Sequence, residues 1–162
     1  MATGMLAASP ASPVTGFVQS VSADEITIVV DSQLLTLRAD DKTSVWKGAL
    51  FHDLTPLRAG DAVKVRFRSD FFGRLIATEI EARVRFTCTV RANLLSRLEL
   101  AHASASQYSV VDITPATRFA ISPLQIEPDD EIEVVGWDTG NGRVEAERIS
   151  VYNLDAPVSR NR

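Results

Sequence analysis

The stretch Leu57 to Ala82, LRAGDAVKVRFRSDFFGRLIATEIEA, returns sixty-nine positions later as Ile126 to Val151, IEPDDEIEVVGWDTGNGRVEAERISV. Asp61 falls on Asp130, Val63 on Ile132, Val65 on Val134, Gly73 on Gly142, Arg74 on Arg143, Ala77 on Ala146 and Ile80 on Ile149. What the copies share is a turn, an alternating strand, a glycine hairpin and a second alternating strand. Duplication of one small β module explains this, and it divides the 162 residues into two modules of about 70 each. Modules of that size are marginal alone.

The rest of the chain keeps the same period-two pattern. Phe17 to Val21, Glu25 to Val30 and Gln33 to Arg38 read as three strands of a meander, with Ser22-Ala23-Asp24 and Asp31-Ser32 as turns. Asp40 to Pro56 breaks the alternation. Ala49 to Leu54 within it is expected to form one or two helical turns, so that Trp46, Leu50, Phe51 and Leu54 plug the open end of a small barrel. Two further strands, Ala62 to Arg68 and Arg74 to Arg83, complete the module. Three strands, a crossing segment and a closing hairpin is the order of a five-stranded OB barrel. Ile26, Ile28, Val30, Leu35, Leu37, Val63, Val65, Phe67 and Ile80 are its expected interior.

The second module is expected to place its strands at Thr87–Arg91, Arg97–Leu100, Tyr108–Ile113, Glu131–Val135 and Arg143–Tyr152. Its crossing, Thr114 to Pro128, is shorter and marked by proline. The fold expected is therefore all-β: two tandem five-stranded OB-like barrels, each with a short helical or irregular crossing segment. They occupy residues 15–85 and 86–155, between a flexible leader at 1–14 and a flexible tail at 156–162. Ile80 to Val90 has no glycine or proline, which suggests a stiff strand joining the barrels.

Taken together, these motifs resemble a bacterial family of small OB-like modules of unknown function, found often in tandem in exported and envelope proteins. The resemblance rests on Gly16-Phe17-Val18, Asp40 to Thr43, Leu57 to Val65 and Gly73 to Ile80. In the second module it rests on Asp130 to Val134 and Gly142 to Ile149, with Asp129 in place of the turn glycine. It implies an exported binding or scaffolding module in the periplasm or cell envelope, and it names no ligand. The opening MATGMLAASPASP lacks the basic start and apolar core of a signal peptide. It fits either a small-residue leader or the stub of an exported chain.

Charge and chemistry narrow the function classes. No run approaches the roughly 20 apolar residues of a membrane-spanning helix. The net charge is −4, with ten basic and ten acidic residues over 15–85 but five against eleven over 86–155. An acidic chain is a poor generic partner for nucleic acid. The only histidines, His52 and His102, fall in different modules, and no metal-ligand spacing, nucleophile motif or phosphate-binding glycine loop is present. The expectation is a protein that is not an enzyme and carries no cofactor and no metal. Cys88 is a single thiol in a strand, expected to be buried and inert. Glu127 to Glu131 with Glu133 reads as a solvated acidic turn without the alternation of a calcium loop.

Two features point to binding. Alternation places Lys64, Arg66 and Arg68 on one face of a strand, a basic stripe that could track a single strand or a sugar chain. The alternative is an outer face on which Lys64 and Arg66 pair with Glu79 and Glu81 across the sheet. At the hairpin tip the first module has Asp70-Phe71-Phe72-Gly73 where the second has Thr139-Gly140-Asn141-Gly142. Two adjacent phenylalanines at a tight tip either expose a contact site or fold back on their own barrel. The candidate binding residues are thus Trp46, Lys64, Arg66, Arg68, Phe71 and Phe72. The leading reading is a scaffold that contacts a protein partner or a second copy of itself. The alternative is a single-stranded nucleic-acid or oligosaccharide binder on the first barrel's sheet face.

Overall fold

The structure, a computed structural model, describes residues 12–101 and 107–152. It is all-β, and it divides into two compact units, one ending at Arg83 and the other beginning at Val84. Residues 1–11 of the expected leader, His102 and the expected tail lie outside the described residues.

In the first unit, β1 (Val14–Val21), β2 (Glu25–Val30) and β3 (Gln33–Arg38) form the antiparallel meander. The β2–β3 turn carries positive φ at both Asp31 (48°) and Ser32 (65°), the geometry that follows the right-handed twist of a two-residue hairpin. A small hairpin, β4 (Ser44–Trp46) with β5 (Leu50–Phe51), comes next. Then β6 (Ala62–Ser69) pairs antiparallel with both β1 and β7 (Leu75–Asn93). β3 meets β7 in parallel at one residue pair, Arg38 with Ile76. The pairings thus run β6–β1–β2–β3–β7 and return to β6.

The second unit repeats this circuit. β7 pairs with β8 (Arg97–Leu100), β8 with β9 (Val110–Asp112), and β9 in parallel with β12 (Arg143–Val151). β12 pairs antiparallel with β11 (Glu131–Gly140), which also pairs with β7. A two-residue strand, β10 (Arg118–Phe119), lies parallel to β12.

Individual bonds recur between the units. Gly60 N–H donates to Val18 O and Val18 N–H to Asp61 O, both at 2.8 Å; Asp129 N–H donates to Val90 O (2.8 Å) and Val90 N–H to Asp130 O (2.9 Å). Asp61 Oδ2 caps the Arg58 amide, and Asp130 Oδ2 caps that of Glu127. The turn needs a left-handed residue, supplied by Gly60 (φ 93°) and by Asp129 (φ 73°). The Thr43 hydroxyl accepts the Asp40 amide (2.9 Å) and donates to Ala77 O (2.7 Å). Thr117 does the same with the Thr114 amide (3.0 Å) and Ala146 O (2.7 Å). Each unit also breaks register at the matching place, between Arg66 and Phe67 and between Val135 and Gly136.

Alternation fills each interior. Ile26, Ile28, Leu37, Val63, Val65 and Ile80 are buried, and Val30, Leu35 and Phe67 pack against them half-buried. Val18, Val45, Leu54, Leu57, Ala77 and Ala82 complete the first core. In the second, Cys88, Val90, Leu98, Val111, Ile132, Val134 and Ile149 take the corresponding places. Gly16 is required on β1, since a Cβ there would lie 2.4 Å from Val29 O.

Several expectations change. Ala49 to Leu54 is not helical. Gly48 (φ 78°) turns the chain back so that the Lys47 amide reaches Ala49 O, and Leu50–Phe51 pairs with Ser44–Trp46 instead. The plug is accordingly Val45, Leu54 and Leu57, with Phe51 half-buried. Trp46 and Leu50 face outward because β4 runs parallel to β7 with Val45, not Trp46, beside the buried Ile80. The second crossing contains a single 3-10 turn, Pro123–Gln125. β1 begins at Val14, where Val65 pairs with it, and of the strand expected at Tyr108–Ile113 only Val110–Asp112 pairs as strand.

The threonine ties hold the crossing segments against the closing strands, and Thr43 is fully buried. Thr43→Val leaves the Asp40 amide and Ala77 carbonyl without their partner, and a loss of about 1–3 kcal/mol is expected. Thr117→Val, in the half-buried copy, should cost less, as read by chemical denaturation of each variant.

Candidate functional site

The basic stripe is neutralised where it stands. Lys64 lies opposite Glu81 and Arg66 opposite Glu79 in the β6–β7 ladder. Lys64 Nζ is 3.6 Å from Glu81, while Arg66 bridges Glu79 (3.0 Å) and Glu81 (3.3 Å). Arg68 reaches across to Asp40 at 3.0 Å. Trp46 sits on the other side of Glu81, in register on β4 and half-buried. Glu81 itself is only 5% exposed. Burial pushes its carboxyl above the ordinary range, against the pull of Lys64 and Arg66. Its role is to hold two cations onto the sheet. The second unit inverts the polarity, with Glu133 in the place of Lys64 and paired to Arg85 (2.7 Å) and Arg148 (3.7 Å).

The hairpin tip is different in kind. Phe71 is 96% and Phe72 78% exposed, so the pair does not fold back on the sheet. The rings meet edge to face with centroids 5.6 Å apart, and the Arg74 guanidinium lies 5.2 Å over the Phe72 ring. Asp70 organises the turn beneath them. Its Oδ1 accepts the amides of Phe72 (2.9 Å) and Arg74 (2.8 Å), and its Oδ2 accepts Arg74 Nε (2.7 Å). Desolvation pulls the Asp70 carboxyl upward, but these bonds outweigh it and hold the group below its usual range. Gly73 (φ 75°) closes the turn. At the corresponding tip the second unit has Gly140 and Asn141 in the places of Phe71 and Phe72, with Gly140, Asn141 and Gly142 all at positive φ.

Beside the tip is an open cleft of about 280 Å³ lined by Asp24, Arg38, Ala39, Asp40, Arg68, Asp70, Arg74 and Ile76. Of the six candidate residues, the structure brings Arg68 to this cleft, while Phe71 and Phe72 stand on the turn between two of its lining residues, Asp70 and Arg74. Lys64, Arg66 and Trp46 belong instead to the ion-paired face. Arg38 was not singled out by sequence reasoning. Its signal is the comparison of the two copies: Ala39 and Ile113 make the same bond back to the first turn of their unit, so Arg38 occupies the place of Asp112.

Residues 15–81 match the family model of a domain of unknown function, DUF5666. The match runs from Thr15 in β1 to Glu81 on β7, and includes the Thr43 tie, the Asp61 cap and the Phe71–Phe72 hairpin. The second unit lies outside it. No curated protein matches the chain.

The remaining chemistry is plain. His52 is exposed on the bend after β5. Among the described residues no three His, Cys, Asp or Glu side chains come together as a metal site. The acidic turn is a capped β-turn, with Asp130 bonded to the Glu127 amide. No helix of the described residues is long and apolar enough to cross a membrane. Cys88 is buried in the second core, and burial pushes its thiol up to about 12. At pH 8 roughly one thiol in ten thousand is then ionised. A thiol-disulfide exchange reagent at that pH should leave the native chain unlabelled and label it completely once it is unfolded in guanidinium. Rapid labelling of the folded chain would contradict the assigned burial.

Proposed function

We propose that the chain is a non-enzymatic binding or scaffolding protein built from two OB-like barrels, working in the bacterial envelope through protein–protein contacts at the hairpin tip of the first unit. The observation that carries this reading is the exposure of Phe71 and Phe72 on a turn whose backbone is tied down by Asp70. Large exposed aromatic side chains are common anchors of protein interfaces. Burying each ring in a partner contributes roughly 1.5–3 kcal/mol before ordering costs. The Asp70 bonds reduce those costs by holding the turn before contact. The envelope assignment rests on the resemblance alone.

Binding of a single strand or a sugar chain along β6 gains no such support. A polyanion would have to displace Glu79, Glu81 and Asp40 from the cations it needs. The neighbouring outward aromatic, Trp46, is half-buried rather than offered as a stacking platform.

The reading is tested by placing a photo-cross-linking amino acid at position 71 in the source cells. A discrete protein adduct is expected, absent when the probe stands at the exposed Gln33 on β3. No adduct, or the same adduct pattern from both positions, would remove the tip as a contact site.

A further inference from the structure

Independently of that contact reading, we propose that Asn141 is a site of spontaneous covalent modification, where the Gly142 amide nitrogen displaces the side-chain nitrogen and leaves an aspartyl or isoaspartyl residue at the β11–β12 hairpin tip. The hairpin turns through Asn141 and Gly142, between the paired Gly140 and Arg143. Both turn residues are at positive φ (55° and 72°), which makes the turn type I′. Asn141 is exposed, and its carboxamide makes no hydrogen bond with any described residue. Neither the Asn141 carbonyl nor the Gly142 N–H bonds to a described residue either. The peptide plane between them can therefore turn over without breaking a hydrogen bond.

That freedom decides the chemistry. Type I′ holds its first central residue at ψ about +30°, with the next nitrogen turned away from the side chain; type II′ holds it at about −120°, with that nitrogen eclipsing Cβ. Flipping one peptide plane converts the first turn into the second and leaves the flanking strands paired. Gly142 passes from positive to negative φ in the flip, which glycine accepts without strain. The Gly142 nitrogen then faces Asn141 Cγ across the geometry of a five-membered ring. Once deprotonated it forms a bond to Cγ, Cγ–Nδ2 breaks, and the leaving nitrogen takes back the proton and departs as ammonia. Water is the one co-reactant, and it opens the cyclic imide at either carbonyl. Opening at Cγ gives aspartate; opening at the backbone carbonyl routes the chain through Cβ and gives isoaspartate.

The chain carries its own controls. In the first unit Phe72-Gly73 occupies the same place, with no carboxamide to lose. Asn93 has a carboxamide, but its Nδ2 donates to Pro123 O (2.9 Å) and Ile126 O (3.0 Å), and its Oδ1 accepts the Leu95 amide (2.9 Å). Leu94 follows it in place of glycine. The product bears on the second unit's pairing. The Gly142 carbonyl accepts the Ser109 and Val110 amides (2.8 and 3.3 Å), where β9 begins its parallel pairing with β12. An isoaspartyl link lengthens the turn by one methylene and displaces that carbonyl. An aspartyl link keeps the turn, since aspartate tolerates the left-handed region.

The test is peptide mapping by mass spectrometry after the full chain is held in mildly alkaline buffer, beside a synthetic peptide of residues 137–147. The fragment carrying Asn141 is expected to gain the mass of an NH2-to-OH exchange and to resolve into two products, with Asn93 unchanged. The flipped turn holds a non-glycine residue in a sparsely populated region, which slows the folded chain about ten- to a hundredfold against the free peptide. Hydroxylamine, which cleaves the imide, should cut the aged chain between Asn141 and Gly142. The isolated isoaspartyl form should melt below Asn141→Asp, which has the same charge on an unlengthened backbone. A folded chain with no product by the time the free peptide is fully converted overturns the proposal, as does product that forms only in guanidinium. An isoaspartyl form that melts with Asn141→Asp overturns the part given to the Gly142 carbonyl.

Discussion

The frame of each unit depends on a threonine hydroxyl that serves two backbones at once. Thr43 accepts the amide of Asp40 and donates to the carbonyl of Ala77, thirty-four residues away in the sequence. The crossing segment has no long ladder of its own, only β4 beside β7. Without the tie, a buried carbonyl on the closing strand and an amide at the start of the crossing would both lose their partner. The same atoms in Thr117, Thr114 and Ala146 do the same work in the second unit. With the Asp61 and Asp130 caps, these bonds lock the crossing and the turn before the fourth strand. The paired strands of each unit then cover its apolar interior.

Because the frame is held by features common to both units, the differences between them stand out as dispensable to it. The hairpin tip carries two exposed phenylalanines in one unit and glycine and asparagine in the other. Asp112 holds Arg143 in one unit, where Asp70 holds the matching Arg74 in the other. The outer face reverses sign, from Lys64 to Glu133, yet in both units the charge is met by opposite charge on the neighbouring strand. That face is built to be neutral. The exposed rings of Phe71 and Phe72 belong to neither core, and it is there that a binding role has room.

Much of this was legible in the sequence. The sixty-nine-residue repeat and the period-two pattern located most of the strands and six of the nine expected interior residues as fully buried, since alternation alone decides which side of a ladder a residue faces. Phe71 and Phe72 were legible as a question, because a tight tip has no interior to offer both rings. The crossing was misread because Ala49 to Leu54 suits a helix locally, whereas Gly48 reverses the chain just before it. Trp46 was assigned to the plug for its size, when the parallel register with β7 gave that place to Val45. The cleft was not legible at all. It gathers Asp24, Arg38, Asp40, Arg68 and Arg74 from separate turns and strand ends, and only strand closure brings them together.

The central claim is that the frame and the contact surface are separable, and the double variant Phe71→Ser/Phe72→Ser tests it most directly by light-scattering mass, with its melting temperature as the check on folding. The account predicts a chain that melts as the native one does, within the shift of about 0.5 kcal/mol usual for a surface change. It also predicts monomer mass at salt and protein concentrations where the native chain assembles. A double variant that assembles like the native chain, or one that loses its fold, would contradict it.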